Sequence, residues 1–263
     1  MEGGILMKIT ARAVLIAVSL LAFELPVLGE ETSTPSGAPP GWPDPIEDSG
    51  IHSLVLVDQL EYWGSDEQDA LRWDLISWVG GDYHRLWIKT EGEVLTAGAG
   101  GELELFDLQY GRLIAPFWDL LVGAGYQRVW GPGSDPDHLY AVVGVQGLAP
   151  QWFEVDANLR LSEKGDLSAD LEAEYDLLLT QRLVLQPRFE TSLALQEVEE
   201  FGVGEGFNAV RLGARLRYEI RREFAPYIGV TWNRKLGDTA DLAREEGEDV
   251  EDFSLIAGVR LWF

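Results

Sequence analysis

The fold is decided by an alternating stretch at the C-terminus, Phe253-Ser-Leu-Ile-Ala-Gly-Val-Arg-Leu-Trp-Phe263. Every second residue from Phe253 to Phe263 is apolar, whereas Ser254, Gly258 and Arg260 belong to the intervening series. A period of two residues is typical of a β-strand, because successive side chains of a strand point to opposite faces. The stretch therefore predicts a strand with one entirely apolar face.

The same alternation recurs upstream. In residues 153–161 and 167–177 apolar positions alternate with mostly charged ones, and the turn-like Glu163-Lys164-Gly165-Asp166 lies between the two segments. About twelve such segments follow residue 51, separated by Gly, Pro and Asp clusters. Residues 167–178 and 212–220 also fit a helical spacing of four. Prolines at or near the segment starts favour strands.

The polar face of these segments carries charges of both signs. A soluble β-sandwich also alternates, but its polar face meets bulk water and needs no internal partners. Charges of both signs at similar depth are instead what a narrow, polar barrel lumen contains. The predicted lumen-lining residues are Glu91, Glu102, Glu104, Glu154, Asp156, Asp170, Glu172, Glu174, Arg188, Glu190, Arg211, Arg215 and Arg217.

Segment length and aromatic placement favour a membrane barrel. Transmembrane β-strands span about 9–11 residues, and aromatic residues flank the apolar band at both interfaces. The sequence thus predicts a transmembrane antiparallel β-barrel of about twelve strands in the bacterial outer membrane, in contact with its lipid. The terminal Phe263 suggests recognition by the barrel assembly machinery. The aromatic residues expected at headgroup level are Tyr62, Trp63, Trp118, Trp152, Phe153, Tyr218, Tyr227 and Trp232.

The N-terminal region predicts export. Lys8 and Arg12 flank an apolar run at residues 13–23, which is too short to span a membrane as a helix and is typical of a signal peptide. We expect a signal peptide at residues 1–29. Residues 30–50 hold five of the twelve prolines and predict a disordered leader. The barrel domain is expected at residues 51–263.

Composition excludes several classes of function. The formal charge of −25 disfavours nucleic-acid binding, because a polyanion would be repelled over most of the surface. The chain has no cysteine, so disulfides, thiolate metal sites and cysteine nucleophiles are excluded. It carries no HExxH, GxSxG or Walker motif, and we predict no catalysis. The acidic residues 237–252 lack the EF-hand ligand order and predict a solvated loop.

Two histidines at predicted strand starts are candidate copper ligands. His52 and His84 could bind Cu(II) through a ring nitrogen, with Asp58, Glu61 or Asp82 as oxygen partners. The alternative is that both are exposed histidines at loop ends without a ligand role. His138 lies in a turn-like segment and is a weaker candidate.

Several motifs resemble one known family. Residues 58–62, 81–93, 114–119, 144–150 and 217–227 strongly resemble the copper resistance protein B family, and the likeness extends over residues 51–263. The resemblance implies an outer-membrane protein of bacterial copper tolerance that handles copper ions beside a periplasmic multicopper oxidase. Family members commonly carry a Met- and His-rich N-terminal segment, whereas residues 30–50 contain neither residue. The barrel is therefore expected to be the working part.

Three functional hypotheses follow. The first is a barrel that contributes to copper resistance and copper homeostasis by binding or passing copper ions at the outer membrane. The second is a metal-indifferent outer-membrane pore or envelope scaffold, which the same alternation supports. The third is a soluble periplasmic β-sandwich that binds a small molecule.

Overall fold

The computed structural model describes residues 50–64, 69–96, 100–131 and 135–263. The predicted signal peptide and nearly all of the predicted leader lie outside these residues. The described barrel unit begins at His52. Its strands are β1 (His52–Gly64), β2 (Ala70–Gly80), β3 (His84–Leu95), β4 (Gly101–Ala115), β5 (Trp118–Trp130), β6 (Asp137–Ala149), β7 (Phe153–Ser162), β8 (Leu167–Tyr175), β9 (Leu177–Leu178), β10 (Leu183–Ala194), β11 (Gly206–Tyr218), β12 (Phe224–Lys235) and β13 (Glu251–Trp262).

The strands form one closed antiparallel sheet. Apart from β8 and β9, which do not pair with each other, each strand pairs with its neighbour in the chain, and β1 pairs with β13, which closes the barrel. Both β8 and β9 pair with β10 in one continuous register. They therefore count as one interrupted strand, and the barrel has twelve strand positions. The break at Asp176 lies next to the register position of Pro187 on β10. Proline has no backbone N–H to donate, which explains the gap in the ladder.

Segments that could also have been helical are strands. Residues 167–178 contribute β8 and β9, and residues 212–218 belong to β11. The helical spacing of leucines in these segments is overridden, because closure gives every backbone donor a partner on the neighbouring strand. The predicted all-β fold of about twelve strands is confirmed.

The two ends of the barrel differ in the length of their connections. At one end the connections are residues 81–83, 116–117, 150–152, 179–182 and 219–223. At the other end they include residues 195–205 and 236–250. Outer-membrane barrels have short periplasmic turns and longer extracellular loops. The short-turn end, from which β1 starts and at which β13 ends, therefore faces the periplasm, and the long-loop end faces outward.

The acidic segment after β12 is not only a loop. Gly237–Glu246 forms helix α1, in which Thr239, Ala240 and Ala243 are buried. Asn208 Nδ2 donates to Thr239 Oγ1 over 3.0 Å, and the Gly204 N–H donates to the same oxygen over 2.9 Å. These buried contacts supply the packing that the sequence pattern did not reveal. Within the described ranges, the helices are too short and polar to traverse a bilayer.

The outer surface of the barrel is apolar. On β13, Leu255 is 63% exposed, whereas its neighbour Ser254 is fully buried. The same division recurs on β5 and β7, where Val122 and Leu159 are exposed to the outside. In water such a surface would be unfavourable, but it matches the hydrocarbon core of a bilayer. The protein is an outer-membrane β-barrel whose exterior contacts lipid.

Exposed aromatic side chains lie near both ends of the strands. Tyr62, Trp152, Phe153 and Tyr218 are among those expected at headgroup level, and all are exposed. The prediction was wrong for Trp63 and Tyr227, which lie inside the barrel. Trp63 Nε1 donates to Glu61 Oε2 over 2.6 Å, so its ring follows the inward-facing series of β1. Additional exposed aromatic residues are Tyr83, Tyr110, Phe117, Phe207, Phe224, Phe253 and Phe263.

Candidate functional site

The candidate site is the charged lumen. Strand register places Glu154 opposite Glu174, Asp156 opposite Glu172, and Glu190 opposite Arg211. Their chain neighbours face lipid, so these side chains share the inner surface. The structure places all the predicted lumen residues on this surface: Glu91, Glu102, Glu104, Glu154, Asp156, Asp170, Glu172, Glu174, Arg188, Glu190, Arg211, Arg215 and Arg217.

Arg188 is the centre of the lumen's ion-pair network. Its Nη2 donates to Glu172 Oε2 over 2.6 Å and to Asp74 Oδ2 over 3.2 Å. Its Nη1 lies 3.5 Å from Asp58 Oδ2. Glu172 is on the neighbouring strand β8, whereas Asp58 and Asp74 are on β1 and β2. One guanidinium therefore joins distant walls of the barrel.

Further ion pairs link strands that are not neighbours in the sheet. Lys89 of β3 donates to Asp156 of β7. Arg160 of β7 donates to Asp107 of β4 over 2.8 Å. These contacts, together with those of Arg188, span the interior between strands that do not pair. At this level, charged side chains therefore cross the lumen.

A third contact joins β11 to β1. Arg215 Nε donates to Glu61 Oε1 over 2.5 Å, and Arg215 Nη2 donates to Gln59 Oε1 over 3.0 Å. Glu61 is fully buried and Arg215 is 4% exposed. Buried charges are tolerated only where they are paired, so the pairing is a condition of this closed interior.

Acidic cavities open toward the long-loop end. One, of about 400 Å³, is lined by Glu102, Glu104, Glu172, Glu190 and His138, among others. Another, of about 640 Å³, is lined by Glu93, Glu102, Glu104, Arg72 and Arg211, among others. Carboxylates outnumber guanidinium groups in both linings. A cation entering from this end meets a net negative surface.

Carboxylates crowd one wall of the larger cavity. Glu93 and Glu102 are directly paired positions on β3 and β4, so like charges face each other. Arg72 lies 2.9 Å from Glu104, but its distance to Glu93 is 3.9 Å. Like charges on paired positions are unfavourable unless a cation compensates them. This wall therefore has the capacity to attract additional positive charge.

Trp63 lies beside two arginines at the edge of the same cavity. The Arg72 guanidinium lies 4.9 Å from its ring centroid, and that of Arg211 lies 5.6 Å from it. The negative face of an indole ring attracts a nearby guanidinium, so Trp63 favours the positions of both arginines in the lumen.

The candidate copper ligands are not brought together. Directly paired residues of neighbouring strands share a face of the sheet. His52 is paired with Gly80 and Gly80 with Arg85, so His52 and Arg85 share one face. His84 precedes Arg85 on β3. Adjacent residues of a strand face opposite sides, so His52 and His84 belong to opposite faces of the sheet. His84 Nδ1 lies 2.5 Å from the Tyr110 hydroxyl. Both histidines are at the short-turn end.

The proposed oxygen partners have other roles. Asp58 accepts a hydrogen bond from Arg260 Nε over 2.6 Å, and Glu61 accepts one from Arg215. Asp82 lies in the exposed turn between β2 and β3. In the part of the chain that the structure describes, no three His, Asp or Glu side chains are arranged to hold a metal ion. Asp58 and Glu61 thus belong to the lumen network.

Some lumen residues were missed from the sequence. Asp58 faces inward because a β-bulge between Val57 and Gln59 shifts the register of β1. No sequence signal marks this bulge. Asp107 was also missed, although its alternation with apolar Phe106 and Leu108 could have revealed it.

Comparison with known proteins assigns the family. The family model described as Copper resistance protein B precursor (CopB) matches residues 51–263. Copper resistance protein B of Escherichia coli is 45% identical over 220 residues, which cover 83% of this chain and 72% of that protein. The chain belongs to the copper resistance protein B family. The resemblance inferred from its motifs is confirmed.

A second family member agrees with this assignment, and a solved structure agrees with the fold. The copper resistance protein B homolog of Pseudomonas syringae pv. tomato (strain ATCC BAA-871 / DC3000) is 42% identical over 218 residues, with 83% of this chain and 72% of that protein covered. The NanC porin structure superposes with a TM-score of 0.50 at 12% identity, covering 80% of this chain and 99% of that one. At this identity, the likeness to NanC concerns the fold alone. Membership of the copper resistance protein B family supports a role in copper resistance.

Proposed function

We propose that this member of the copper resistance protein B family is a non-catalytic barrel that passes copper ions through its lumen. The observation that carries the proposal is the excess of carboxylates around the cavities at the long-loop end. Carboxylate oxygens and imidazole suit Cu(II), whereas soft Cu(I) prefers sulfur. The only two methionines are Met1 and Met7, within the predicted signal peptide. Cu(II) is therefore the proposed cargo.

Passage requires the cross-lumen ion pairs to part. A cation that binds Glu172, Asp74 or Asp156 competes with Arg188 or Lys89 for the same oxygen atoms. Such competition exchanges one positive partner for another and keeps the buried carboxylates compensated. We propose that copper ions move stepwise between these carboxylates. A periplasmic multicopper oxidase is the proposed partner at the short-turn end, and the barrel assembly machinery is the proposed insertion partner.

A second candidate is a closed, metal-indifferent envelope scaffold. It is favoured by the same ion pairs, because Arg188 and Lys89 join opposite walls of the lumen. The two functions differ in one respect that can be measured. Only a barrel that handles copper needs the acidic cavity wall for copper tolerance.

The test is copper tolerance of a deletion strain complemented with defined variants. The lumen variant carries Glu93→Gln, Glu102→Gln and Glu104→Gln, which remove the carboxylates of the cavity wall. The matched control carries three Glu→Gln changes in the exposed loop between β10 and β11, at Glu197, Glu199 and Glu205. Equal amounts of each barrel in outer-membrane fractions are verified first.

We expect the wild type and the loop variant to restore tolerance and the lumen variant to fail. A variant that lacks residues 30–50 is expected to restore tolerance as well, because the barrel is the proposed working part. Full tolerance with the lumen variant would favour the metal-indifferent scaffold. Copper influx into proteoliposomes, followed with an enclosed copper-sensitive dye, checks passage directly.

A further inference from the structure

The basic side chains of the described residues divide sharply by location. Fourteen of them lie within 4.0 Å of a carboxylate, whether they are in the lumen or at the long-loop end. Four arginines have no carboxylate partner within the described ranges, and all four are at the short-turn end. They are Arg112, Arg182, Arg221 and Arg222.

Three of these arginines form one cluster. Arg182 ends the turn before β10, and Arg221 and Arg222 lie in the turn between β11 and β12. The backbone N–H of Glu219 donates to the carbonyl of Arg182 over 2.8 Å, which ties the two turns together. Trp262 Nε1 donates to the carbonyl of Arg222 over 2.6 Å, which fixes the second turn to β13. We call Arg182, Arg221 and Arg222 the basic rim.

The surroundings of the basic rim are apolar. Leu179 and Ile220 are half exposed, and Tyr218 and Phe224 are also exposed. These side chains lie at the short-turn end of the lipid-facing surface. An apolar surface bordered by arginines at this depth matches the boundary between acyl chains and headgroups.

The acidic residues of the same turns do not neutralise the basic rim. Glu219 lies 4.0 Å from Arg217, which belongs to the lumen network. Glu223 is exposed and lies beyond 4.0 Å from every basic side chain of the described residues. The basic rim keeps a net positive charge in a protein whose formal charge is −25.

We propose that the basic rim binds the phosphate groups of anionic phospholipids in the periplasmic leaflet of the outer membrane. Guanidinium groups donate paired hydrogen bonds to phosphate oxygens, and the exposed Leu179 and Ile220 contact the acyl chains of the same lipid. An acidic periplasmic protein would match the charges but not this lipid-facing apolar border. The proposed site is independent of copper.

The site is tested with the full-length mature protein in nanodiscs of equimolar phosphatidylcholine and phosphatidylglycerol. Native mass spectrometry measures the ratio of the two lipids that stay bound after release from the disc. The test variant carries Arg182→Gln, Arg221→Gln and Arg222→Gln. The matched control carries Arg128→Gln, Arg234→Gln and Arg244→Gln, three exposed arginines at the long-loop end. Heat-modifiable gel mobility verifies that each barrel is folded.

We expect the wild type and the control to enrich phosphatidylglycerol at least about fivefold, because one arginine near an anionic lipid surface changes partitioning by about that factor. The test variant should return to the lipid ratio of the disc. Equal enrichment by a folded test variant would overturn the proposal. Absence of enrichment in the wild type would also overturn it and would favour an acidic protein at this rim.

Discussion

At the residue scale, neighbouring side chains of one strand meet different solvents. Leu171 of β8 is 38% exposed toward lipid, whereas the next residue, Glu172, accepts a hydrogen bond from Arg188 inside the barrel. The free-energy cost of placing a charged side chain on this strand therefore depends on whether the side chain faces lipid or the lumen. A variant pair at these two positions measures this difference directly.

We predict that Leu171→Arg destabilises the barrel by about 2–4 kcal/mol, because a lipid-facing arginine near the bilayer midplane costs that much. Glu172→Gln changes the net charge by the same amount but should cost only about 1 kcal/mol. Its amide oxygen still accepts from Arg188, which keeps its contact with Asp74. Urea unfolding in lipid vesicles gives both values, and equal losses would reverse the assignment of faces.

Copper binding by the histidines is also a residue-scale prediction. We expect no tight Cu(I) site in the mature barrel, because sulfur occurs only at Met1 and Met7. Weak Cu(II) binding is expected to depend on His52 and His84. Since the two lie on opposite faces of the sheet, each single Ala variant should lose part of the binding and the double variant most of it. Titration with Cu(I) and Cu(II) tests this, and unchanged Cu(II) binding by the double variant contradicts it.

At the element scale, the junction of β1 and β13 determines closure. The N–H of Phe263 donates to the Val55 carbonyl over 2.9 Å, and the Val55 N–H donates to the Phe263 carbonyl over 3.1 Å. The side chain of Phe263 is 69% exposed, so the residue provides both backbone pairing and an aromatic surface. These two contributions can be separated by mutation.

We predict that deletion of Phe263 lowers the yield of assembled barrel, because it removes two hydrogen bonds from a junction that lipid cannot satisfy. Phe263→Gly should keep the hydrogen bonds and lose only the ring, and Phe263→Trp should assemble normally. The fraction of heat-modifiable barrel in outer membranes measures each yield. A normal yield for the deletion would show that the terminal residue is dispensable.

At the scale of the whole molecule, ion pairs cross the lumen between strands that do not pair. Arg188, Lys89 and Arg160 each contact a carboxylate on a strand that is not their neighbour. These contacts brace the barrel as well as filling it. An open pore of the same strand number would instead carry ions continuously.

We predict that the wild-type barrel conducts potassium poorly in planar bilayers and that Arg188→Ala raises the conductance several-fold with cation selectivity. The change removes the central guanidinium and leaves Asp58, Asp74 and Glu172 in the lumen. It should also cost about 3–5 kcal/mol of stability, because buried carboxylates lose their partner. Lys89→Ala is a second variant in case Arg188→Ala does not fold, and Arg128→Ala is the control outside the lumen. High wild-type conductance would contradict a closed lumen.

The sequence by itself determined the strands and most of their faces. Alternation with a period of two follows from the local geometry of a strand, in which successive side chains point to opposite faces. The position of a residue in this alternation therefore decides whether its side chain faces lipid or the lumen. The apolar series from Phe253 to Phe263 and the charged series that includes Glu154 and Glu174 could therefore be read without a structure. Proline positions distinguished these strands from helices for the same local reason.

Only the tertiary structure decided which charges meet. The contact between Arg188 and Asp74 joins residues 114 positions apart, and it exists because closure of the barrel brings β10 and β2 across one narrow lumen. The bulge at Asp58, the docking of α1 and the opposite faces of His52 and His84 likewise depend on register between strands. Alternation defines the face of a side chain, but the distance across a closed sheet depends on the arrangement of all its strands.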